Sequence, residues 1–174
     1  MIMIREITLL GNPVLRQRCS LVKDVESRET RSVIADLADT LADFRARKGF
    51  GRGIAGPQIG VARQIIYVDF EIHGPLVNPR ITAKSRKKMR LWDDCFSFPD
   101  LLVMVERAYS IKVAYRDEHG KARTINAEGA LSELLQHEID HVNGILAIDR
   151  AIDTKHIILR SEHEKHVRRE PVTF

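Results

Sequence analysis

The run His137-Glu138-Ile139-Asp140-His141 constrains this chain more than any other segment, because its chemistry exists only on a helix. Residues four apart stack on one helical face, so His137 and His141 can both direct a ring nitrogen at one divalent ion. Glu138 lies about 100° further round the axis, close enough to reach a water beside that ion but poorly placed to be a ligand. Two histidines and an acid at this spacing are a signature of metal-assisted hydrolysis, in which the ion acidifies water next to a carbonyl. The competing reading is a surface helix that carries two histidines and some acids by chance.

Two histidines leave a catalytic zinc-type ion one protein ligand short. The longer pattern H-E-x-x-H-x-x-G-x-x-H would supply a third histidine. Here Gly144 is present, but the final position is Ala147. Glu162 and Glu164 are the downstream acids on offer. They sit in the charged stretch Ser161 to Arg169, which reads as a solvated face. Cys95, in Trp92-Asp93-Asp94-Cys95-Phe96-Ser97, is the better donor, with a buried inert thiol as its alternative. The other cysteine, Cys19, has no metal-like neighbours and reads as structural.

A third segment, Gly51-Arg52-Gly53-Ile54-Ala55-Gly56-Pro57-Gln58-Ile59-Gly60, excludes regular helix and lets backbone approach a ligand closely. A phosphate-cradling loop would need a following Lys-Ser/Thr pair and a preceding strand. Neither is present, since residues 28–48 read as helix. Gln58 is the one side chain of this loop able to donate a neutral, directed hydrogen bond to a developing oxyanion.

Taken in order, the three segments resemble the peptide deformylase family. Its patterns G-φ-G-φ-A-A-P-Q-φ-G, E-G-C-φ-S and Q-H-E-φ-D-H-φ-x-G (φ apolar) are met by GRGIAGPQIG, DDCFS and QHEIDHVNG. Gly11-Asn12-Pro13-Val14-Leu15-Arg16 also looks like the family's opening segment, so the resemblance runs from about residue 7 to Arg150. It implies that Cys95 as thiolate, His137 and His141 hold one divalent ion, commonly Fe2+, with Zn2+ or Ni2+ able to take the same donors. Glu138 would take a proton from water and pass it to the departing amine. Gln58 and the backbone N–H of Phe96 would hold the oxyanion. The implied substrate is an N-formyl-methionyl peptide, hydrolysed to formate and a free amine.

Departures from the family pattern gather where the substrate would bind. Arg52 stands between two glycines in place of an apolar residue, Asp94 replaces the glycine before the cysteine, and Asp93 replaces glutamate. The resemblance implies a side-chain pocket walled by Arg52, Gly53, Ile54, Asp94, Ala130, Glu133 and Leu134. Either Arg52 and Glu133 pair or reach solvent at its rim, or the pocket itself is polar. A deformylase-like amidase acting on a more polar N-formyl or N-acyl amine is therefore the second reading. A catalytically idle metal-binding protein is the third, although a structural site needs neither Gln58 nor Glu138.

At 174 residues the chain is expected to form one domain over 1–174, with a core that needs no disulfide and a charged tail from about Asp153. Apolar residues at helical spacing (Val33, Ile34, Leu37, Leu41, Phe44) predict a first helix ending near Lys48-Gly49. Strands are expected at 64–70, 75–83, 101–107, 110–116 and 123–127, and the metal helix at 129–143 with Gly144 as its stop. The fold class is α+β: antiparallel β-sheets around a central metal-binding helix. The segment from Asp153 reads as helical and then highly charged.

Two cysteines and no cationic-apolar leader predict a cytoplasmic protein. No apolar run approaches the roughly 20 residues that span a membrane. A net charge of +4 and 6% aromatic residues predict no sequence-specific nucleic-acid reader and no base-stacking platform. The cluster Lys84, Arg86, Lys87, Lys88, Arg90 predicts a charged, exposed edge. Transient contact with the ribosome is its functional alternative.

Overall fold

Where Val33, Leu37, Leu41 and Phe44 recur, the computed structural model, which describes residues 3–166, forms helix α1 (Arg28–Lys48). Ser27 caps it by accepting from the Thr30 N–H, and Gly49 ends it at φ 78°. Strands follow as β1 (Gly53–Ala55), β2 (Ile65–Asp69), β3 (His73–Lys84), β4 (Lys88–Asp93), β5 (Leu101–Ala108), β6 (Ser110–Arg116) and β7 (Ala122–Glu128). Helix α2 (Gly129–Val142), β8 (Ile157–Leu159) and α3 (Arg160–His166) complete the order.

The strands form two antiparallel sheets, a five-stranded one ordered β1-β2-β3-β6-β7 and a three-stranded one ordered β4-β5-β8. Each side of the molecule buries its own apolar set. One face of the larger sheet, with Ile66, Val68, Leu76 and Val113, packs on Leu131, Leu135, Ile139 and Val142 of α2. Helix α1 covers Ile54, Ile65 and Val77. A third set joins Val103 and Val105 of β5 to Leu15, Cys95, Phe98 and Leu146. Leu135 and Leu37 are fully buried, each stabilising the fold by about 1.5–3 kcal/mol relative to exposure. Helix α2 packs against strands of both sheets. The expected α+β class, with antiparallel sheets around the helix that carries the histidines, is the observed one.

Helix α2 is held in place by polar contacts of Ser132 and Gln136 and by a glycine stop after it. Gln136 and Ser132 both bond the backbone of Ala108, Gln136 accepting from its N–H at 3.1 Å and donating to its C=O at 2.9 Å. After the helix, Gly144 takes φ +76°, and a Cβ there would lie 2.6 Å from the Arg16 carbonyl oxygen. Only glycine fits that helix stop. The N-terminal segment ties two motifs together, with Thr8 N–H on Gln58 O and Leu10 N–H on Ser97 O, both at 2.8 Å.

Some elements differ from expectation. The glycine-rich segment contributes strand β1 and a 3₁₀ turn, Gly56–Ile59. The basic cluster does not lie wholly between strands, because Lys88 and Arg90 belong to β4 and Lys84 ends β3. The segment from Asp153 is not helical at first: a 3₁₀ turn at Thr154–His156 leads into β8, which pairs with β5 before α3 begins. The charged tail is therefore structured through His166, and its remainder, with the end of the Ser161 to Arg169 stretch, lies outside the described residues. No described helix is long and apolar enough to cross a membrane.

Candidate metal centre

Helical spacing brings His137 and His141 to one face of α2, and the turn after β4 carries Cys95 to the same point. The donor atoms of Cys95, His137 and His141 lie within 4.8 Å of one another, and all three residues are buried. Cys95 Sγ is 3.2 Å from His141 Nε2. One small ion with bonds of about 2.0–2.3 Å to nitrogen and sulfur suits such a set. Glu162 and Glu164 lie on α3 and are not part of it. Cys19 is buried in the main core, where burial pushes its thiol up to about 11.

Each histidine is prepared differently. His137 Nδ1 meets Asp93 Oδ1 at 2.8 Å, which turns Nε2 toward the other donors. Burial opposes a charged ring at His137, but the Asp93 carboxylate outweighs it and raises the pKa well above the ordinary value. A cation held by His137 would take the place of that ring's second proton. At His141 burial dominates and the pKa falls well below the usual range, so the ring is neutral and its lone pair free. Its Nδ1 is sealed without a partner among the described residues.

Asp93 is itself held in place. Burial alone would raise its pKa, but His137 and Arg107 hold it well below the usual carboxylate range. Arg107 Nη2 reaches Asp93 Oδ2 at 2.8 Å and Nη1 reaches Asp140 Oδ2 at 3.0 Å. Arg150 closes the chain on Asp140 Oδ1 at 2.8 Å. Sequence reasoning passed over Asp93, Arg107 and Asp140 as site-shaping residues. The available signal was an arginine inside the apolar strand Leu101–Ala108 and an aspartate between the two histidines. Asp93, Glu133 and His137 also group within 4.8 Å. Both Asp93 oxygens already serve His137 and Arg107, and Glu133 Oε2 serves Arg52, so this group supports His137 rather than forming a second ion site.

Around the triad lies a cleft of about 450 Å³ whose lining includes Gln58, Phe96, Glu133, Leu134, His137 and Glu138. Burial raises Glu138 to about 7, and its Oε2 is sealed with no hydrogen-bond partner among the described residues. A Cβ on Gly53 would lie 2.9 Å from Glu138 Oε1, so glycine is needed for this approach. Gln58 Oε1 accepts from the Ala55 N–H at 2.8 Å. That bond fixes the amide with its NH2 toward Cys95, Nε2 standing 3.6 Å from Sγ. The Phe96 N–H makes no hydrogen bond among the described residues, while its ring stacks on Phe44 at 3.8 Å.

Of the expected pocket residues, Arg52, Gly53, Asp94, Glu133 and Leu134 line the cleft. Ile54 and Ala130 do not. Successive strand residues face opposite ways, so next to Gly53 the Ile54 side chain enters the core under α1. Ala130 lies one helical turn before Leu134, beyond the end of the cleft. Arg52 and Glu133 pair directly, Nη2 to Oε2 at 2.5 Å, with Glu133 buried. Asp94 pairs with Arg160 at 2.8 Å, and that guanidinium lies over the Phe50 ring.

Comparison with known proteins places this arrangement. The family model for polypeptide deformylase matches residues 4–156. A peptide deformylase of Prochlorococcus marinus is 37% identical over 167 residues, covering 92% of this chain and 78% of the relative. One of Rhizobium meliloti is 37% identical, with 84% of each chain covered. Among solved structures, the peptide deformylase of Thermotoga maritima superposes with a TM-score of 0.80 at 30% identity, covering 86% of this chain and 99% of that one. That of Synechococcus elongatus in complex with actinonin gives 0.81 at 31% identity, covering 92% and 85%. The match takes in the glycine-rich loop, the cysteine turn and the histidine helix together, and the chain belongs to the polypeptide deformylase family as a metal-dependent, deformylase-type hydrolase.

Proposed function

We propose that the protein removes the N-formyl group from the amino terminus of peptides, N-formyl-methionyl peptides among them, releasing formate. Cys95, His137 and His141 would hold one ion, ferrous in the cell. A divalent ion in that donor set supplies an acidified water and an electrophile for the formyl oxygen. Glu138 takes the proton from the attacking water and gives it to the amine as the formyl C–N bond breaks. Gln58 Nε2 and the Phe96 N–H donate to the oxygen that becomes negative. The carrying observation is Glu138 Oε2, an acceptor sealed beside the triad with no partner among the described residues. An idle metal site has no use for it.

The test is formate release from a formyl-methionyl tripeptide by protein loaded anaerobically with Fe2+, beside Zn2+- and Ni2+-loaded samples. Cys95→Ala, His137→Ala and His141→Ala should each lose the ion and the activity. Full metal content and activity in Cys95→Ala would overturn the assignment. Transient ribosome contact through Lys84, Arg86, Lys87, Lys88 and Arg90 is a separable part of this proposal, supported by the exposure of all five. Neutralising them should abolish salt-sensitive co-sedimentation with ribosomes while tripeptide turnover stays unchanged.

A further inference from the structure

We propose that the cleft selects N-formyl compounds whose first side chain carries both a hydrogen-bond donor and an acceptor, a primary amide best of all, through the Arg52–Glu133 pair. This rests on the deformylase reading and names its preferred substrate class. Glu133 precedes His137 by four residues on α2, about 6 Å along the helix axis. With the formyl carbon at the metal centre, an extended glutamine side chain carries its amide carbon about 6 Å away, by ordinary bond lengths. The pair lines the same cleft as Cys95 and His137, with a Glu133 carboxylate oxygen within 4.8 Å of a His137 ring nitrogen.

Both members of the pair keep unused capacity. Glu133 is buried, yet only its Oε2 is bonded, to Arg52 Nη2. Its Oε1 makes no hydrogen bond among the described residues and is not a sealed atom of the interior. Arg52 spends one of its five N–H groups on Glu133, and the guanidinium lies 5.2 Å from the centre of the Phe70 ring. The two aspartates of the cleft are committed. Asp93 serves His137 and Arg107, and Asp94 serves Arg160.

An amide NH2 can donate to Glu133 Oε1 while its C=O accepts from Arg52, which leaves the ion pair intact. An apolar side chain would strip water from both groups and return no hydrogen bond. A lysine side chain meets Arg52 as a like charge. A glutamate side chain meets Glu133. The pair as a whole is neutral, so a neutral group with both functions is its complement.

The test compares kcat/KM for formyl-X-Ala-Ser peptides with X = Gln, Met, norleucine, Lys and Glu on the metal-loaded native protein. Formyl-Gln should exceed formyl-norleucine and formyl-Met by about 10-fold or more, since a site with polar groups discriminates against a ligand that leaves them unpaired. The Lys and Glu peptides should fall below Gln. The double variant Arg52→Ile with Glu133→Ile should invert the Gln-to-norleucine ratio, whereas an unchanged ratio would overturn the proposal. The native series stands alone if that variant does not fold. Met, norleucine, Lys or Glu fastest in the native protein would overturn the selectivity and leave the deformylase reading standing. No formate from any peptide would overturn both.

Discussion

At Glu138 a single atom separates a base from its amide. Glu138→Gln keeps the volume and most of the hydrogen-bonding capacity of a side chain sealed against Gly53, but it cannot take a proton. Metal content should stay near normal while turnover falls by about 10²-fold or more. Gln58→Leu should cost a comparable factor, since one oxyanion donor is worth roughly 3 kcal/mol. Metal analysis beside formate assays checks both, and loss of the ion from Glu138→Gln would make it a folding residue. These residues were legible because each belongs to a short pattern whose spacing is itself chemical. Asp93 was not, for its role exists only once β4 delivers it to His137 across 44 residues of chain.

Among elements, one guanidinium binds three of them. Arg107, on β5, holds Asp93 at the end of β4 and Asp140 on α2, with the Arg107 side chain 3% exposed. Arg107→Met would leave the buried Asp93 carboxylate with only His137. Removing one partner of such a network costs about 3–5 kcal/mol. Metal affinity should also fall about 10- to 100-fold, because Asp93 orients the His137 ring. Urea unfolding and metal titration measure the two effects, and a stability within about 1 kcal/mol of the native protein would remove Arg107 from this role. The longer elements could be read locally: α1 repeats its apolar residues at helical spacing, β3, β5 and β6 are rich in β-branched and apolar residues, and α2 carries the paired histidines ahead of Gly144. Strand β4 alternates, with Lys88 and Arg90 outward and Met89 and Leu91 half-buried, but its charges blend into the preceding cation run. Strand β8 is three residues long and exists by pairing with β5, a contact no local pattern encodes.

For the molecule as a whole, the triad spans the junction between the two sheets. Cys95 follows β4 of the smaller sheet and packs with Val103 and Val105 of β5, whereas the histidines ride on α2, whose apolar face packs on the larger sheet. An ion held by all three ties these units in the folded state and has no such site in the unfolded chain, so its binding adds to folding stability. With free metal at about 100 times Kd, that contribution is about 2.7 kcal/mol. In a chain of this size each kcal/mol moves Tm by about 2–4 °C, so chelation should lower Tm by about 5–11 °C. Trp92 is the only tryptophan, sits on β4 and lines the cleft, so its emission follows the smaller sheet while far-ultraviolet circular dichroism follows the whole fold. Both probes should shift together, and Cys95→Ala should lose the chelator response. A Tm that chelation leaves unchanged in metal-loaded native protein would mean that the unfolded chain holds the ion as well as the folded one does.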